Sequence, residues 1–447
     1  MSYTAAVDQL NAMAPELYAR PGQPRRKFSL DEIGILLDAL GNPQRRFRSV
    51  LIAGTNGKGS TAATLASILT AAGIRTGLYT SPHLSYVNER IRLDRAEIDD
   101  DAFARLYFCV HGAAQQLVAD GRLPQMPSFF EILTAQALMY FAEKRVEIAV
   151  LEVGMGGRLD ATNIVDPLLS VITDISLDHT EWLGSTIGAI AREKAGILRR
   201  RGTLVTLPQH PEANQVLGEV AAELGVRGVS AVPYLPPVDA GGSDPYCVNA
   251  MGGTLRVDSP LSGTHQQRNL ALAIAAAVEL ASVHGFPVRP GAIAEGIRKT
   301  HWPGRLECIE KDGVKWVLDV AHNPAGAWAL RAGLNPILAA AQAVQAPCTL
   351  IFSCLRDKPV AEMAQILFPL FDRVILAPIQ TARAAAIDDL LTAASATGTQ
   401  AVAAESVKQA MQLAQHKGER GVIAVSGSVY LVGEMRTLLF PEEEVRP

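Results

Sequence analysis

The chain has 447 residues, of which 48% are hydrophobic and 19% are charged, against roughly 25% charged in an average globular protein. This composition excludes a wholly disordered chain, and the length excludes a single small module because domains average about 150 residues. The formal net charge of −4 offers no sequence-wide attraction for nucleic acid or for an acidic membrane. Any anion must therefore be bound by a local group of residues.

The amino terminus carries acidic residues and lacks the apolar core of a signal peptide, and the apolar stretch 270–281 is shorter than the roughly 20 residues that span a bilayer. We therefore expect a cytoplasmic protein with no membrane segment and no nucleic-acid partner. The five cysteines form no CxxC pair and are odd in number, which argues against a zinc site and a disulfide framework. We expect reduced thiols that are mostly buried.

The first 50 residues predict helices, because apolar residues of 30–40 recur at helical spacing between a capping Ser29 and Gly41. A short buried strand at 50–53 then leads through a glycine-rich turn into an Ala/Leu-rich helix at 61–72. Further apolar runs predict buried strands at 147–153 and 169–173. Strands that alternate with helices are typical of a parallel sheet.

Turn-forming residues dominate 229–260, which predicts an antiparallel annex to the first domain, and a helix is expected at 267–284. Proline, glycine and charge then accumulate over 285–307, where we place the domain boundary. The pattern restarts with predicted strands at 314–320, 349–353, 373–377 and 421–425. The expected division is a first domain at 1–297, a hinge at 298–303 and a smaller α/β domain at 304–447.

The strongest local signal is a glycine-rich loop between a buried strand and a helix. Its residues are Gly54, Thr55, Asn56, Gly57, Lys58, Gly59, Ser60 and Thr61. Glycines let the backbone approach an anion, while successive N–H groups, the helix dipole and the lysine attract it. The loop departs from a Walker A motif at Gly59 and at Ile52, and a bare glycine-rich turn is the alternative. The pattern favours a site for a nucleotide phosphate.

Two strand ends carry candidate metal ligands. Glu152 closes a buried apolar run, where a carboxylate is costly unless a cation meets it, so it is a candidate Mg²⁺ ligand. His179 ends another strand-to-helix connection and could reach the same ion, although a lone histidine is more often structural. The local sequence of Lys194 indicates only a surface charge on a helix.

The second domain places Asp319 at a strand end and His322 in the next turn, where α/β sheets bind ligands. Arg305 lies beside the predicted hinge, from which it could reach a phosphate when the domains close, although an ordinary linker arginine is the alternative. Three short basic runs predict only solvated faces with no partner, at 25–27, 45–46 and 199–201.

Taken together, these residues resemble the folylpolyglutamate synthase and dihydrofolate synthase family of the Mur ligase superfamily. The matching motifs run nearly end to end: SLD at 29–31, LGNP at 40–43, GTNGKGS at 54–60, TSPHL at 80–84, NER at 88–90, GMGGRLDATN at 154–163, DHTEWLG at 178–184, REKAGI at 192–197, QRN at 267–269, PGRLE at 303–307, DVAHNP at 319–324, DK at 357–358, RA at 383–384 and GS at 427–428. So many ordered matches are hard to explain by chance.

The resemblance implies an α/β fold with a P-loop ATPase-like N-terminal domain of the Mur ligase central type and a Rossmann-like C-terminal domain. It also implies ATP-dependent amide formation between a folate or dihydropteroate carboxylate and L-glutamate, through an acyl phosphate. A monomer is expected. On the same ground, Ser81, Glu152 and His179 would hold Mg²⁺, with two ions expected, and Lys194 would be carbamylated.

The resemblance assigns further contacts. ATP would be bound by Gly57, Lys58, Asn269, Arg305 and Asp319, and glutamate by His322 and Ser428. Phe130 matches a position near the pterin, although a core aromatic is as good an interpretation of that residue. Two departures from the family pattern are Val320, where a glycine is common, and Pro359, where an aspartate is common.

Two other functions remain open. A Mur ligase that joins an amino acid to a UDP-linked peptide would carry a nucleotide-sugar domain before the loop, and the 53 residues before Gly54 are too few for one. A P-loop protein that hydrolyses ATP without forming a bond is the other alternative.

Overall fold

A computed structural model describes residues 2–13, 29–237, 245–415 and 421–441. The basic run 25–27 lies outside the described residues. The chain forms two compact units: unit 1 is Met1–His83, Val87–Ser259 and Gln267–Thr300, and unit 2 is Leu84–Tyr86, Pro260–Gln266 and His301–Pro447. The domain limits expected from the sequence stay a prediction. No helix in the described part of the chain is long and apolar enough to cross a membrane.

Unit 1 is built on a mainly parallel sheet. Its strands are β1 (Arg48–Ala53), β2 (Thr76–Tyr79), β3 (Ile91–Leu93), β4 (Ala96–Glu97), β5 (Ile148–Glu152), β6 (Leu169–Ile172), β7 (Thr203–Thr206) and β8 (Arg227–Ser230). Within the described residues the order is β4-β3-β2-β5-β1-β6-β7-β8. β2, β5, β1, β6, β7 and β8 are parallel to one another, whereas β3 and β4 pair with their neighbours in the antiparallel sense. The predicted antiparallel annex is the hairpin β9 (Tyr246–Ala250) and β10 (Gly253–Val257), whereas Val229 and Ser230 belong to β8.

The helices of unit 1 surround this sheet. They are α1 (Tyr3–Ala12), α2 (Leu30–Ala39), α3 (Lys58–Ala71), α4 (Asp100–Ala119), α5 (Phe129–Glu143), α6 (Thr180–Leu183), α7 (Ile187–Ala195), α8 (Pro211–Leu224), α9 (Thr264–Ser282, whose first residues belong to unit 2) and α10 (Pro290–Arg298). β5 and β6 are buried throughout, as strands covered on both faces of a parallel sheet should be.

One predicted helix start was wrong, and one helix was not predicted. α3 begins at Lys58 instead of at 61, because Gly57 takes a left-handed conformation (φ +86°) that ends the loop directly before the helix. The stretch 285–307 contains a helix, α10, where the sequence indicated only a boundary region. Gly296 lets α10 pack closely on α3, because a Cβ there would lie 2.3 Å from the Cα of Ile68.

Unit 2 is also an α/β structure, built on a second sheet. Its strands are β11 (Glu307–Lys311), β12 (Val314–Leu318), β13 (Cys348–Phe352), β14 (Arg373–Leu376), β15 (Ala401–Ala403) and β16 (Val422–Ser426), and its helices are α11 (Pro324–Ala343), α12 (Val360–Leu367), α13 (Ile387–Ala396), α14 (Val407–Ala414) and α15 (Val429–Leu439). The described strands have the order β11-β12-β16-β13-β14-β15, with only β11 antiparallel to its neighbour. The α/β class predicted for both halves is confirmed.

The cysteines differ from the prediction in their burial. All five are free, but Cys109, Cys247 and Cys308 are exposed, and only Cys348 and Cys354 are buried. The expectation of mostly buried thiols was therefore wrong. Burial raises the pKa of Cys354 to about 12, which makes it an inert core thiol at neutral pH.

Candidate functional site

Four loops of unit 1 leave the sheet at one edge. In the strand registers, Ile52 of β1 pairs with Glu152 of β5 and Ala53 pairs with Ile172 of β6, while β2 continues in parallel beside β5. The carboxyl ends of these parallel strands therefore lie side by side. The sequence places Ser81 after β2, Glu152 at the end of β5, Gly54–Gly57 after β1 and 173–179 after β6.

The loop Gly54–Gly57, called the phosphate loop below, is built so closely that its glycines cannot be replaced. A Cβ on Gly54 would lie 1.8 Å from Oγ1 of Thr173, and a Cβ on Gly57 would lie 2.1 Å from Oδ1 of Asn269. Both glycines also have positive φ angles, +154° and +86°. The first N–H groups of α3 follow directly, and a helix leaves those groups without helical acceptors. The loop and helix therefore form a geometry that suits a phosphate.

Two lysines meet at this loop. Nζ of Lys58 donates to the carbonyl oxygens of Gly54 and Thr55, each at 3.1 Å, and Nζ of Lys194 donates to the Gly54 carbonyl at 2.7 Å. Lys194 lies on α7 and is only 3% exposed. Burial, and then the neighbouring charge of Lys58, lower the pKa of Lys194 to about 7, against the opposing effect of Asp178 and Asp160. The Lys194 side chain is thus an amine that is partly neutral near pH 7.

The segment Thr173–Ser176, called the loop floor below, supports the phosphate loop from β6. The carbonyl of Asp174 accepts hydrogen bonds from the N–H groups of Thr55 (2.8 Å) and Asn56 (3.2 Å). Oγ1 of Thr173 donates to the carbonyl of Asn56 at 2.7 Å, and Oγ1 of Thr55 both donates to the Ser176 carbonyl (3.0 Å) and accepts from the Ser176 N–H (3.1 Å). These bonds fix the peptides of Thr55 and Asn56 before any ligand binds.

The structure brings two of the three predicted metal ligands together. Oε2 of Glu152, a residue that is 5% exposed, accepts a hydrogen bond from the Ser81 N–H at 3.0 Å. His179 begins α6 with a positive φ angle of +48°, and its N–H donates to Oδ1 of Asp178 at 2.8 Å. A buried carboxylate beside a serine fits Mg²⁺, which prefers oxygen ligands. No group of three or more His, Cys, Asp or Glu residues able to hold a metal occurs in the described ranges, so the three-residue site stays a proposal.

A partly open cavity of about 120 Å³ lies in unit 1 beside the loop 154–163. Phe130 lines it and packs against Tyr79, with the ring centroids 5.8 Å apart. A capping box at Ser128 and Glu131 fixes the start of α5 and so positions Phe130. Asp160 also lines the cavity and orders the loop, because its carboxylate accepts from the N–H groups of Met155 (2.9 Å) and Thr162 (3.0 Å). Burial raises the pKa of Asp160.

The predicted residues of unit 2 cluster at the carboxyl ends of β12 and β16, which are parallel neighbours. Asp319 accepts from the N–H groups of Leu306 and Ala321, both at 2.8 Å. Nδ1 of His322 lies 2.9 Å from the Val320 carbonyl, and Ser428 caps α15.

Arg305 precedes this cluster in the sequence, and its Nη1 donates to the Gly304 carbonyl at 3.0 Å. Val320 is buried, and Pro359 caps α12 without a side-chain hydrogen bond.

Several organising residues were missed by the sequence analysis. They are Thr173 and Asp174 in the loop floor, Arg268 on α9 and Asp160 in the loop beside the cavity. Arg268 and Asp160 lie in motifs that carry the resemblance, QRN and GMGGRLDATN, but these motifs do not indicate what the two side chains contact. The available signal was the strand end at 173, where polar residues follow a buried strand.

The fold and sequence agree with known proteins. Residues 52–277 match the Mur ligase middle domain, and residues 304–429 match the Mur ligase glutamate ligase domain. The chain is 36% identical to the folylpolyglutamate synthase of Lacticaseibacillus casei, over 98% of this chain and 99% of that protein. It is 33% identical to the dihydrofolate synthase/folylpolyglutamate synthase of Bacillus subtilis (strain 168), over 92% and 95%.

Solved structures give the same result. Mycobacterium tuberculosis folylpolyglutamate synthase complexed with ADP and AMPPCP superposes with a TM-score of 0.83 at 32% identity, over 98% of each chain. E. coli FolC in complex with DHPP and ADP gives a TM-score of 0.82 at 29% identity, over 99% of each chain. The similarity thus covers both α/β units and the loops at their strand ends. The chain belongs to the Mur ligase family, in the group of the folylpolyglutamate and dihydrofolate synthases.

Proposed function

We propose that this protein is an ATP-dependent ligase that joins L-glutamate to the carboxylate of a folate or a dihydropteroate, releasing ADP and phosphate. The relatives named above are folylpolyglutamate and dihydrofolate synthases, and two of the similar structures hold ADP. The observation that carries the proposal is the edge of the unit 1 sheet, where a phosphate loop, two lysines and the buried Glu152 meet.

The reaction needs two steps. A carboxylate oxygen of the folate attacks the γ-phosphorus of ATP, and the bond between that phosphorus and the oxygen bridging to the β-phosphate breaks. ADP departs, and the folate carboxylate has become an acyl phosphate. The neutral amine of glutamate then attacks the acyl carbon, the tetrahedral intermediate expels phosphate, and the amine loses a proton as the amide forms. The charge on the transferred group is spread over several oxygens, so a fixed loop of N–H groups and a lysine stabilise it.

Lys58 is the lysine that we propose to bind the phosphates of ATP. Its ammonium group donates to the carbonyl oxygens of Gly54 and Thr55 in the phosphate loop, and Lys58 is the first residue of α3. Asn269 contacts Gly57 at the other end of the loop. Asn269, Arg305 and Asp319 are the further ATP contacts that we propose from the family resemblance.

We assign Mg²⁺ to Ser81, Glu152 and His179. A divalent ion there supplies positive charge that neutralises the triphosphate. Glu152 is suited to this role because its carboxylate is buried at a strand end and the Ser81 N–H already orients one of its oxygens. A second ion is part of the same proposal.

Lys194 is suited to carbamylation. A neutral amine is the form that attacks CO₂, and the lowered pKa of Lys194, about 7, keeps much of it neutral at physiological pH. The new C–N bond forms as the amine loses a proton, and the product is a carbamate anion. This anion would replace the unfavourable charge of a second ammonium beside Lys58 with an attractive one.

The acceptor and the amino acid have separate candidate sites. The cavity beside Phe130 offers a ring face and a buried acid, which suit a flat, hydrogen-bonding heterocycle such as a pterin. His322 and Ser428, on neighbouring strand ends of unit 2, are the proposed glutamate contacts.

The decisive experiment supplies the purified protein with ATP, Mg²⁺ and labelled glutamate, and offers dihydropteroate and tetrahydrofolate separately. Labelled product with tetrahydrofolate supports folylpolyglutamate synthesis, and product with dihydropteroate supports dihydrofolate synthesis. ATP hydrolysis that ignores both acceptors and glutamate would contradict the proposal and favour a P-loop ATPase that forms no bond. A product formed only with UDP-linked peptides would favour the peptide ligase.

A further inference from the structure

Arg268 and Asp174 form a two-point ion pair next to the phosphate loop. Nε of Arg268 donates to Oδ2 of Asp174 at 2.9 Å, and Nη2 donates to Oδ1 at 2.6 Å. The planar guanidinium matches a carboxylate in this geometry, which a lysine cannot reproduce. Nη2 also donates to the Pro208 carbonyl at 3.0 Å, so the guanidinium is held from two sides.

Asp174 connects this ion pair to the phosphate loop through its own backbone. Its carbonyl oxygen accepts the N–H groups of Thr55 and Asn56, while its carboxylate is held by Arg268. The conformation of one residue thus determines where two loop peptides lie. The neighbouring Ile175 is fixed as well, because its N–H donates to Oε1 of Gln209 at 2.8 Å.

The next residue of α9 contacts the same loop directly. Asn269 lies against Gly57, where a Cβ would approach its Oδ1 to 2.1 Å. Consecutive residues of one helix therefore support the phosphate loop: Arg268 indirectly, through Asp174 at Thr55 and Asn56, and Asn269 directly, at Gly57.

We propose that Arg268 is a positioning residue for nucleotide binding, which acts through Asp174 to keep the phosphate loop in its binding conformation. The inference rests on the proposed function only in that the loop binds ATP. Without the ion pair, Asp174 retains its backbone bonds but loses its anchor, so the loop samples other conformations. Selecting the binding conformation then costs free energy that appears as weaker nucleotide affinity.

The test compares Arg268→Gln, Asp174→Asn and the double variant by calorimetric titration with ADP and Mg²⁺. Asp174→Asn keeps the carbonyl that accepts from the loop, so it removes only the ion pair. We expect each single variant to bind ADP about five- to tenfold more weakly, and the double variant to be no weaker than the weaker single variant. Arg268→Lys should lie between Arg268→Gln and the unmodified protein.

A matched control separates positioning from general stabilisation. Glu279, on the same helix, forms an ion pair with Arg227 of β8, and Arg227→Gln should lower the melting temperature without changing ADP affinity. In steady-state assays, the Arg268 and Asp174 variants should raise the KM for ATP and leave kcat and the KM for glutamate within twofold.

ADP affinity within twofold of the unmodified protein in folded Arg268→Gln or Asp174→Asn would overturn the inference. So would a double variant whose loss of ADP affinity equals the product of the two single-variant losses, because the two residues would then act independently. Should Arg268→Gln not fold, Asp174→Asn decides alone. A protein that binds ADP but joins no glutamate would contradict the proposed function while leaving this titration valid. A protein that binds no ADP would contradict both.

Discussion

The loop after β1 and the loop after β12 hold the same place in their sheets but are stabilised differently. Each follows a buried parallel strand and leads into a helix, α3 or α11. After β1, glycines with positive φ angles form the turn and two ammonium groups share the Gly54 carbonyl. After β12, side chains order the loop: Asp319 accepts from the N–H groups of Ala321 in the loop and of Leu306 before β11, and Asn323 accepts from the Gly326 N–H at 2.8 Å.

This difference shows that the topology of a parallel sheet determines where a binding loop lies, whereas the charges of its side chains determine which ligand it binds. The phosphate loop has backbone N–H groups and lysines, so it is suited to a highly charged anion. The loop after β12 has no lysine and carries His322, a proposed glutamate contact, while Asp319 at its start stays a proposed ATP contact. Variants in the two loops should therefore fail in different ways.

The largest expected effect comes from removing charge in the first loop. Lys58→Ala and Glu152→Ala should each lower product formation by about 1,000-fold or more with either acceptor, because each removes a group that neutralises or orients the transferred phosphoryl. Labelled glutamate incorporation measures the loss. Lys299→Ala, which removes an exposed lysine paired with Glu295, is the control and should be fully active. If Lys58→Ala turned over substrate as fast as the unmodified protein, the first loop would not depend on lysine charge, and the difference in charge between the two loops would have no functional meaning.

The buried Lys194 beside the first loop should make the stability of the protein depend on pH. In the unfolded chain its pKa lies near the ordinary value, whereas burial lowers the pKa in the folded protein to about 7. Between these values the unfolded chain binds more protons, so this group makes stability rise with pH from about 7 to about 10. Lys194→Met should remove that part of the rise, measured by urea unfolding in CO₂-free buffer, with Lys299→Met as the matched exposed control.

The same variant tests the carbamate. Lys194→Met should lower kcat by about 100-fold if the side chain serves the phosphates. CO₂ removal should inactivate the unmodified protein, and CO₂ supplied at one fixed dissolved concentration should restore activity faster above pH 7 than below it, because the neutral amine is the form that attacks CO₂. Full activity after exhaustive CO₂ removal would contradict the carbamate.

The sequence predicted those parts of the site that depend on local pattern. Glu152 was found because a carboxylate ends an apolar run, and the phosphate loop because glycines join a strand to a helix. Lys194 could not be found in this way, since its neighbours Arg192 and Glu193 indicate a surface helix and only the packing of α7 buries it. The Arg268–Asp174 ion pair joins positions 94 residues apart, so it depends on the register of α9 against β6.

The two proposed glutamate contacts of unit 2, His322 after β12 and Ser428 after β16, should affect glutamate binding alone. His322→Ala and Ser428→Ala are expected to raise the KM for glutamate about tenfold while the KM for ATP stays within twofold. Ser428 also caps α15, since its Oγ accepts from the Tyr430 N–H at 3.2 Å, so its loss costs about 1 kcal/mol of stability. Ser428→Thr preserves the cap and serves as the control. A matching rise in the KM for ATP would show that His322 and Ser428 do not act on glutamate alone.

The smallest kinetic effect is expected at Val320, where the family commonly has glycine. Val320 is buried, and a Cβ on Gly304 would lie 3.3 Å from both its Cγ1 and the methyl groups of Leu84, so its side chain fills the core of unit 2. Val320→Gly should therefore cost about 2–3 kcal/mol of stability, while Val320→Ala should cost less because it keeps the backbone restricted. Chemical denaturation measures both variants. The KM for glutamate should stay within twofold, because the capping groups of Asp319 and Asn323 keep the loop conformation. A tenfold change would instead show that Val320 shapes the glutamate site, and that the second loop relies on packing as much as on its caps.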